Sequence, residues 1–249
     1  MTDKPILMTA TNIRAILDDR KWQTRRLPRI TGHRSISEFG RSGTPGYDWH
    51  FRDADMRWHD LTQSELMARL PWQVGDRLWV KETCATWIDE PETVSDPVVY
   101  ADDKDWVAIK AEAKRTEPEW KVRSPIHMPR WASRLTLTVT DVRVQRVQDI
   151  SEESAEAEGL YCVSKDGGRT WKWGIPDRDG VPGTDDLGWP WADWETSPRA
   201  AYRRLWDGLN AKRGFGWDTN PWVAALSFNV MKANIDALPG PIQRPEARP

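Results

Sequence analysis

Apolar residues recur along this chain at short, changing periods, and the changes mark its elements. Ile6 and Leu7 predict a short strand, after which Ile13, Ile16 and Leu17 fall at helical spacing. That helix leads directly into Arg20-Lys21-Trp22-Gln23-Thr24-Arg25-Arg26. Residues 28–60 mix Gly, Ser, Asp and Arg with scattered aromatics and predict a long ordered loop or insertion, not a core element. Thr62-Gln63-Ser64-Glu65 is a capping-box pattern ahead of Leu66 and Leu70, so a short helix begins there. Val74-Gly75-Asp76-Arg77 reads as a turn, and Leu78-Trp79-Val80-Lys81 alternates as a strand.

Residues 89–124, with Pro91, Pro97 and Pro118, predict an excursion containing a strand near Val98 to Tyr100. Leu135, Leu137 and Val139 alternate with threonines, but the apolar phase changes at Val142 and Val144. The change predicts a bulge near Thr140 and Asp141 in one long, bent strand. Ser151 caps a helix predicted to run through Glu158, with Gly159 as its stop. Residues 163–196, rich in Gly, Asp and Trp, read as a second insertion. Ser197-Pro198 opens a helix carrying Tyr202, Leu205, Trp206 and Leu209 on one face and ending around Gly208 to Asn210. Trp222 to Val230 predicts the closing strand. Pro239, Pro241, Pro245 and Pro249 mark residues 231–249 as a proline-rich disordered tail. Short helices around long, bent, antiparallel strands define an α+β chain, and a small mixed or antiparallel β-barrel with peripheral helices and long insertions fits this order best.

At 249 residues and 28.8 kDa the chain is long enough to bury its own core. It contains no run of about 18 apolar residues and no signal-peptide pattern at its start, so the expectation is a cytoplasmic protein with no membrane partner. Cys84 and Cys162 are too few for a disulfide framework and read as buried free thiols. A net charge of -2 gives no global field for a polyanion, so affinity for nucleic acid must come from local patches. From Arg20 to Arg34 the charged residues are all basic, whereas Asp149, Glu152, Glu153, Glu156 and Glu158 form an acidic run. The 17 tryptophans serve either as core and rim packing or as stacking platforms for bases.

Lys21 and Thr24 lie three residues apart, a spacing that would set both on one face of a helical turn. A hydroxyl nucleophile, an amine able to deprotonate it and a cationic surround are the parts of an acyl-transfer site, although the same run also reads as a solvated basic face. Trp79 and Glu82, on the strand after Gly75, are candidates to line the pocket, with core packing the alternative for Trp79. His127, Arg130 and Trp131 are candidate contacts to a base or phosphate, or part of a rigid, proline-bounded entry to the long strand. His50, Asp53, Asp55, His59 and Asp60 raise a metal site, but their spacing fits no standard ligand motif, so neither metal nor cofactor is expected.

Four segments resemble the ASCH-domain proteins of the PUA-like superfamily, in particular the longer versions carried by bacteriophages. They are Ile13 to Arg26, Gly75 to Glu82, Leu135 to Gly159, and Asn220-Pro221-Trp222-Val223. In a Gly-x-Lys-x-x-Glu/Thr-x-Arg turn typical of that family, Lys21 and Arg26 match, Thr24 takes the variable position and Asp19 replaces the glycine. The resemblance implies a PUA-like barrel spanning residues 1–230, with insertions at about 28–60, 89–124 and 163–196. A small bacterial member looks like an amidohydrolase that deacetylates N4-acetylcytidine with a lysine, a threonine and a glutamate, which fall on Lys21, Thr24 and Glu158. Glu156 is the rival for the last role. In that chemistry Thr24 attacks the acyl carbon, neutral Lys21 takes its proton and Glu158 returns a proton to the leaving amine. Arg26 steadies the oxyanion or orients Glu158, with Arg25 beside it. Other members bind RNA or modified bases without chemistry, and some are nucleases. The implied partners are therefore a modified nucleoside or a nucleic acid, RNA before DNA. A protein partner in morphogenesis or host takeover is a further reading, with a phage-encoded chain acting in the host cytoplasm.

Overall fold

Asp19 adopts φ +58, a left-handed turn that ends the first helix and throws the following basic residues out of helical geometry. In the computed structural model, which describes residues 3–87, 97–115, 119–177, 179–183 and 188–239, that turn separates two edge strands of the main sheet. Strand β1 (Asp3–Leu7) leads through the Thr9 cap into helix α1 (Ala10–Leu17), and β2 (Gln23–Arg26) follows the turn. Lys21 and Thr24 therefore do not share a helical turn as their spacing predicted. Thr24 lies in an extended strand and Lys21 forms an isolated bridge with Glu158.

Residues 28–60 correct a second expectation. They form an antiparallel sheet of β3 (Ile36–Arg41), β4 (Trp49–Asp53) and β5 (Trp58–Leu61). Trp49, Phe51 and Leu61 from this sheet are buried in the largest apolar cluster, beside Ile13, Ile16, Leu78 and Leu137. The segment is thus part of the core. Helix α2 (Gln63–Arg69) starts with the expected capping box at Thr62, and β6 (Arg77–Lys81) is the expected strand.

Strands β7 (Cys84–Trp87), β8 (Val98–Tyr100) and β9 (Trp120–Arg123) form a third sheet, with helix α3 (Trp106–Glu112) packed beside it. The excursion thus has regular structure beyond its expected strand, and its residues 89–96 and 116–118 lie outside the described residues. Strand β10 (Thr136–Arg146) pairs with both β6 and the closing strand and shifts register between Val139 and Asp141, where the phase change predicted a bulge. Helix α4 (Glu152–Glu156) stops short of the expected Glu158, while Gly159 at φ +100 makes the turn. Strands β11 (Tyr161–Val163) and β12 (Lys172–Gly174) pair, so the second insertion is also partly regular. Helix α5 (Pro198–Asn210) and β13 (Trp222–Met231) complete the fold. The expected tail begins too early: Ile235 is fully buried and Asn234 caps a short turn, while residues 240–249 lie outside the described residues.

The main sheet runs β1-β6-β10-β13-β2, with β1 parallel to β6 and the other pairings antiparallel. The molecule is α+β, but among the described residues no closed barrel forms. The two edge strands border one cavity instead of pairing, and the Arg26 guanidinium crosses the seam to the Leu7 carbonyl at 2.6 Å. Side chains occupy the place that backbone hydrogen bonds would take in a closed barrel. No helix among the described residues is long and apolar enough to cross a membrane.

Candidate functional site

The junction between α1 and β2 is built against the chain that follows α4. Lys21 and Arg20 both donate backbone N–H groups to the Ala15 carbonyl, and Trp22 and Gln23 donate to Ala157. Arg20 also donates to the Gly159 carbonyl at 2.6 Å. These bonds hold the Lys21 side chain against Glu158. Lys21 Nζ donates to Glu158 Oε2 at 2.6 Å and to the Glu158 carbonyl at 2.8 Å, while Arg25 donates to Glu158 Oε1 at 3.0 Å. Glu156 is instead engaged by the Trp173 indole at 3.2 Å, so the carboxylate facing the basic turn belongs to Glu158.

Burial makes this network electrostatically demanding. Lys21, Arg25 and Glu158 are all at most 6% exposed, and Arg26 stands close by. Desolvation pulls the Lys21 ammonium below its ordinary pKa, the Glu158 carboxylate opposes that shift, and Arg26 and Arg25 add to it by like-charge repulsion. Burial also lowers Arg26, which stays charged as an arginine does at any physiological pH. Tyr202, deeply buried and 5.7 Å from the Arg25 guanidinium, has a phenol pushed well above its usual value.

A cavity of about 690 Å³ lies at the β1–β2 seam. Thr24, Arg25, Arg26 and Glu158 line it, opposite Tyr202, Leu205, Trp206 and Leu209 of α5. The Nε atoms of Arg25 and Arg26 are buried without a hydrogen-bond partner, and the Thr24 hydroxyl likewise has no hydrogen bond among the described residues. Lys21 is not a lining residue and reaches the cavity through Glu158. A second cavity of about 890 Å³ shares Leu27, Arg29 and Arg213 with the first and adds Arg34, Arg146 and Trp222.

The other candidates stand elsewhere. Trp79 is half-buried beneath the Lys81 ammonium, and Glu82 is buried in a bidentate pair with Arg134 at 2.8 and 3.0 Å. Arg130 is held by Asp3 and Asp236, both at 2.7 Å, His127 is exposed, and Trp131 packs on the cluster of Cys84 and Met128. None of these five lines either cavity. Their neighbour Pro125 does line the first. Conversely, Tyr202, expected only as part of the α5 apolar face, and Arg213, which no motif marked, border the site. The α5 apolar face was legible, but periodicity cannot tell a face that packs on a core from one that walls a hollow.

Other side chains separate into the alternatives left open by composition. Trp49, Trp106, Trp194, Trp206 and Trp217 are buried, whereas Trp22, Trp58 and Trp171 are about half exposed. Both cysteines are free, Cys84 buried and Cys162 half-buried. No known family model, no characterised protein and no solved structure matches this chain.

Proposed function

We propose that the seam cavity accepts a modified pyrimidine nucleoside or nucleotide and hydrolyses an exocyclic amide of the N4-acylcytidine type. The observation that carries this reading is the meeting, on one cavity wall, of an unpartnered threonine hydroxyl, a glutamate tied to a desolvated lysine, and two arginines with unused donors. Buried donors without partners cost about 1–3 kcal/mol each, a cost that a small turn of either guanidinium onto a ligand carbonyl or phosphate would relieve. The resemblance to ASCH-domain proteins supports the same assignment.

In this mechanism Thr24 Oγ bonds to the acyl carbon while its proton passes to the Glu158 carboxylate, which borders the cavity and is held by Lys21 at 2.6 Å. Arg25 or Arg26 receives the developing oxyanion. The carbon–nitrogen bond then breaks as the proton returns through Glu158 to the exocyclic nitrogen, and cytidine leaves. Water, deprotonated through the same pair, cleaves the acyl-threonine ester and releases the carboxylic acid. The reaction needs no redox partner.

Incubation with N4-acetylcytidine, followed by release of cytidine, tests the reading. Turnover should fall by about 10²–10⁴ in Glu158→Gln and to background in Thr24→Val. Turnover by the native chain no greater than that of Lys21→Ala rejects it. A binding-only role has its own support in the Arg29, Arg34, Arg146 and Arg213 side chains that line the adjoining second cavity. It predicts RNA affinity that falls steeply with salt and weakens in Arg29→Ala, without turnover.

A further inference from the structure

Away from the seam, two histidines and an aspartate converge where the segment after β2 meets the β4–β5 hairpin. A ligand atom from each of His33, Asp53 and His59 lies within 4.8 Å of the others. His33 follows the turn at Ile30 to Gly32, Asp53 ends β4 and His59 stands in β5, so three separate stretches of chain supply the donors. We propose that these residues form a binding site for a divalent transition metal, with zinc the fitting ion, that fastens the arginine-bearing segment 28–34 to the three-stranded sheet.

The donor set and its surroundings suit that ion. Two imidazoles and one carboxylate, with water as the fourth ligand, are a common tetrahedral zinc environment. Tetrahedral zinc holds its nitrogen and oxygen ligand atoms roughly 3.3 Å apart. His59 Nε2 is 2.8 Å from Asp53 Oδ2, a hydrogen bond that a bound ion would replace, and the His33 ligand atom lies within 4.8 Å of both. Asp53 is oriented from behind, because its Oδ1 accepts the backbone N–H groups of Asp55 at 2.9 Å and Arg57 at 3.0 Å, leaving Oδ2 toward the histidines. The His59 ring is held flat against Phe51 at 4.7 Å, and the His33 ring meets both, at 4.8 Å from Phe51 and 4.9 Å from His59. Oriented ligands of this kind are what outer-shell contacts provide in metal sites.

One cation competes. Arg57 Nε is 3.2 Å from Asp53 Oδ2, but its side chain is 68% exposed and its Nη2 already pairs with the exposed Asp55 carboxylate at 2.5 Å, so Arg57 keeps a partner when a metal takes the Asp53 oxygen. His33 also lines the second cavity, so the ion would fix one wall of the arginine-lined hollow.

Untagged full-length protein, stripped with chelator, is titrated with Co²⁺ and then Zn²⁺, following the visible cobalt absorption. One equivalent of Co²⁺ should give tetrahedral bands that Zn²⁺ abolishes. His33→Ala and His59→Ala should each lose about 100-fold or more in affinity, whereas His50→Ala and His127→Ala bind as the native chain does. Arg57→Ala should bind at least as tightly. His33→Ala, which loses the ring contacts to Phe51 and His59, should melt somewhat below the metal-free native chain and gain nothing from added zinc, whereas the native chain is stabilised by it. Absent stoichiometric binding, binding untouched by His33→Ala, or weaker binding by Arg57→Ala overturns the proposal.

Discussion

Replacing Lys21 by methionine removes the Glu158 contacts at 2.6 and 2.8 Å but leaves the carboxylate with Arg25 at 3.0 Å. Breaking a buried pair costs about 3–5 kcal/mol, and the surviving arginine puts Lys21→Met near the lower end, at about 3 kcal/mol. Glu158→Gln is worse, about 5 kcal/mol, because it leaves Lys21 and Arg25 buried with no countercharge. In a chain of this size 1 kcal/mol moves Tm by about 2–4 °C, so Lys21→Met should melt about 6–12 °C below the native protein. The double variant should lose less than the sum of the singles by about 2 kcal/mol, since the second change removes a partner already stranded by the first. Calorimetric melts of the four proteins measure the cycle. A Lys21→Met cost under about 1 kcal/mol, or strictly additive losses, would refute the reasoning that these groups form one buried unit.

Three further outcomes follow from other contacts. A Cβ at Gly159 would stand 2.6 Å from Ala15 Cβ and 3.0 Å from Lys21 Cβ at φ +100, so Gly159→Ala should cost about 3 kcal/mol in thermal melts. Trp49→Ala should cost about 3–5 kcal/mol, whereas a dispensable insertion would give a loss near zero. Burial pushes the Glu82 carboxyl up to about 7 despite Arg134, from an ordinary value of 4.5. Between those values the folded chain holds a proton that the unfolded chain has released, so the Glu82 contribution is present in full below about 4.5 and lost as pH rises through 7. Urea midpoints should therefore fall between pH 5 and pH 7.5 in the native protein by more than in Glu82→Gln; identical slopes would contradict the assignment.

Local signals were legible where local physics decides the outcome. The Thr62 box, the β10 bulge and the Pro198 helix start were each written in a few adjacent residues. The Glu158 partnership was legible only through family resemblance, because two segments far apart in sequence meet through backbone bonds from Trp22 and Gln23 to Ala157. The β3–β5 sheet was hidden by Gly, Ser and Asp around it, although Trp49 and Phe51 alternate with His50 and Arg52 at the strand period. Barrel closure was over-read for a similar reason. Bent strands imply curvature, but whether two edges pair depends on what stands between them, here the Arg26 side chain. Trp79, Glu82, His127, Arg130 and Trp131 carry suitable chemistry, but their places are set by the tertiary fold, and none of them lines the hollow.

The central claim, that the hollow between β1 and β2 is where an acylated pyrimidine reacts, is tested most directly by a crystal structure of Lys21→Met, which keeps Thr24, Glu158 and both arginines, soaked with N4-acetylcytidine. The account predicts the nucleoside between Thr24 and the α5 face, with the acyl carbon facing Thr24 Oγ and its oxygen turned to Arg25 or Arg26. A hollow left vacant at saturating nucleoside, or a nucleoside seated elsewhere with Thr24 untouched, would contradict it.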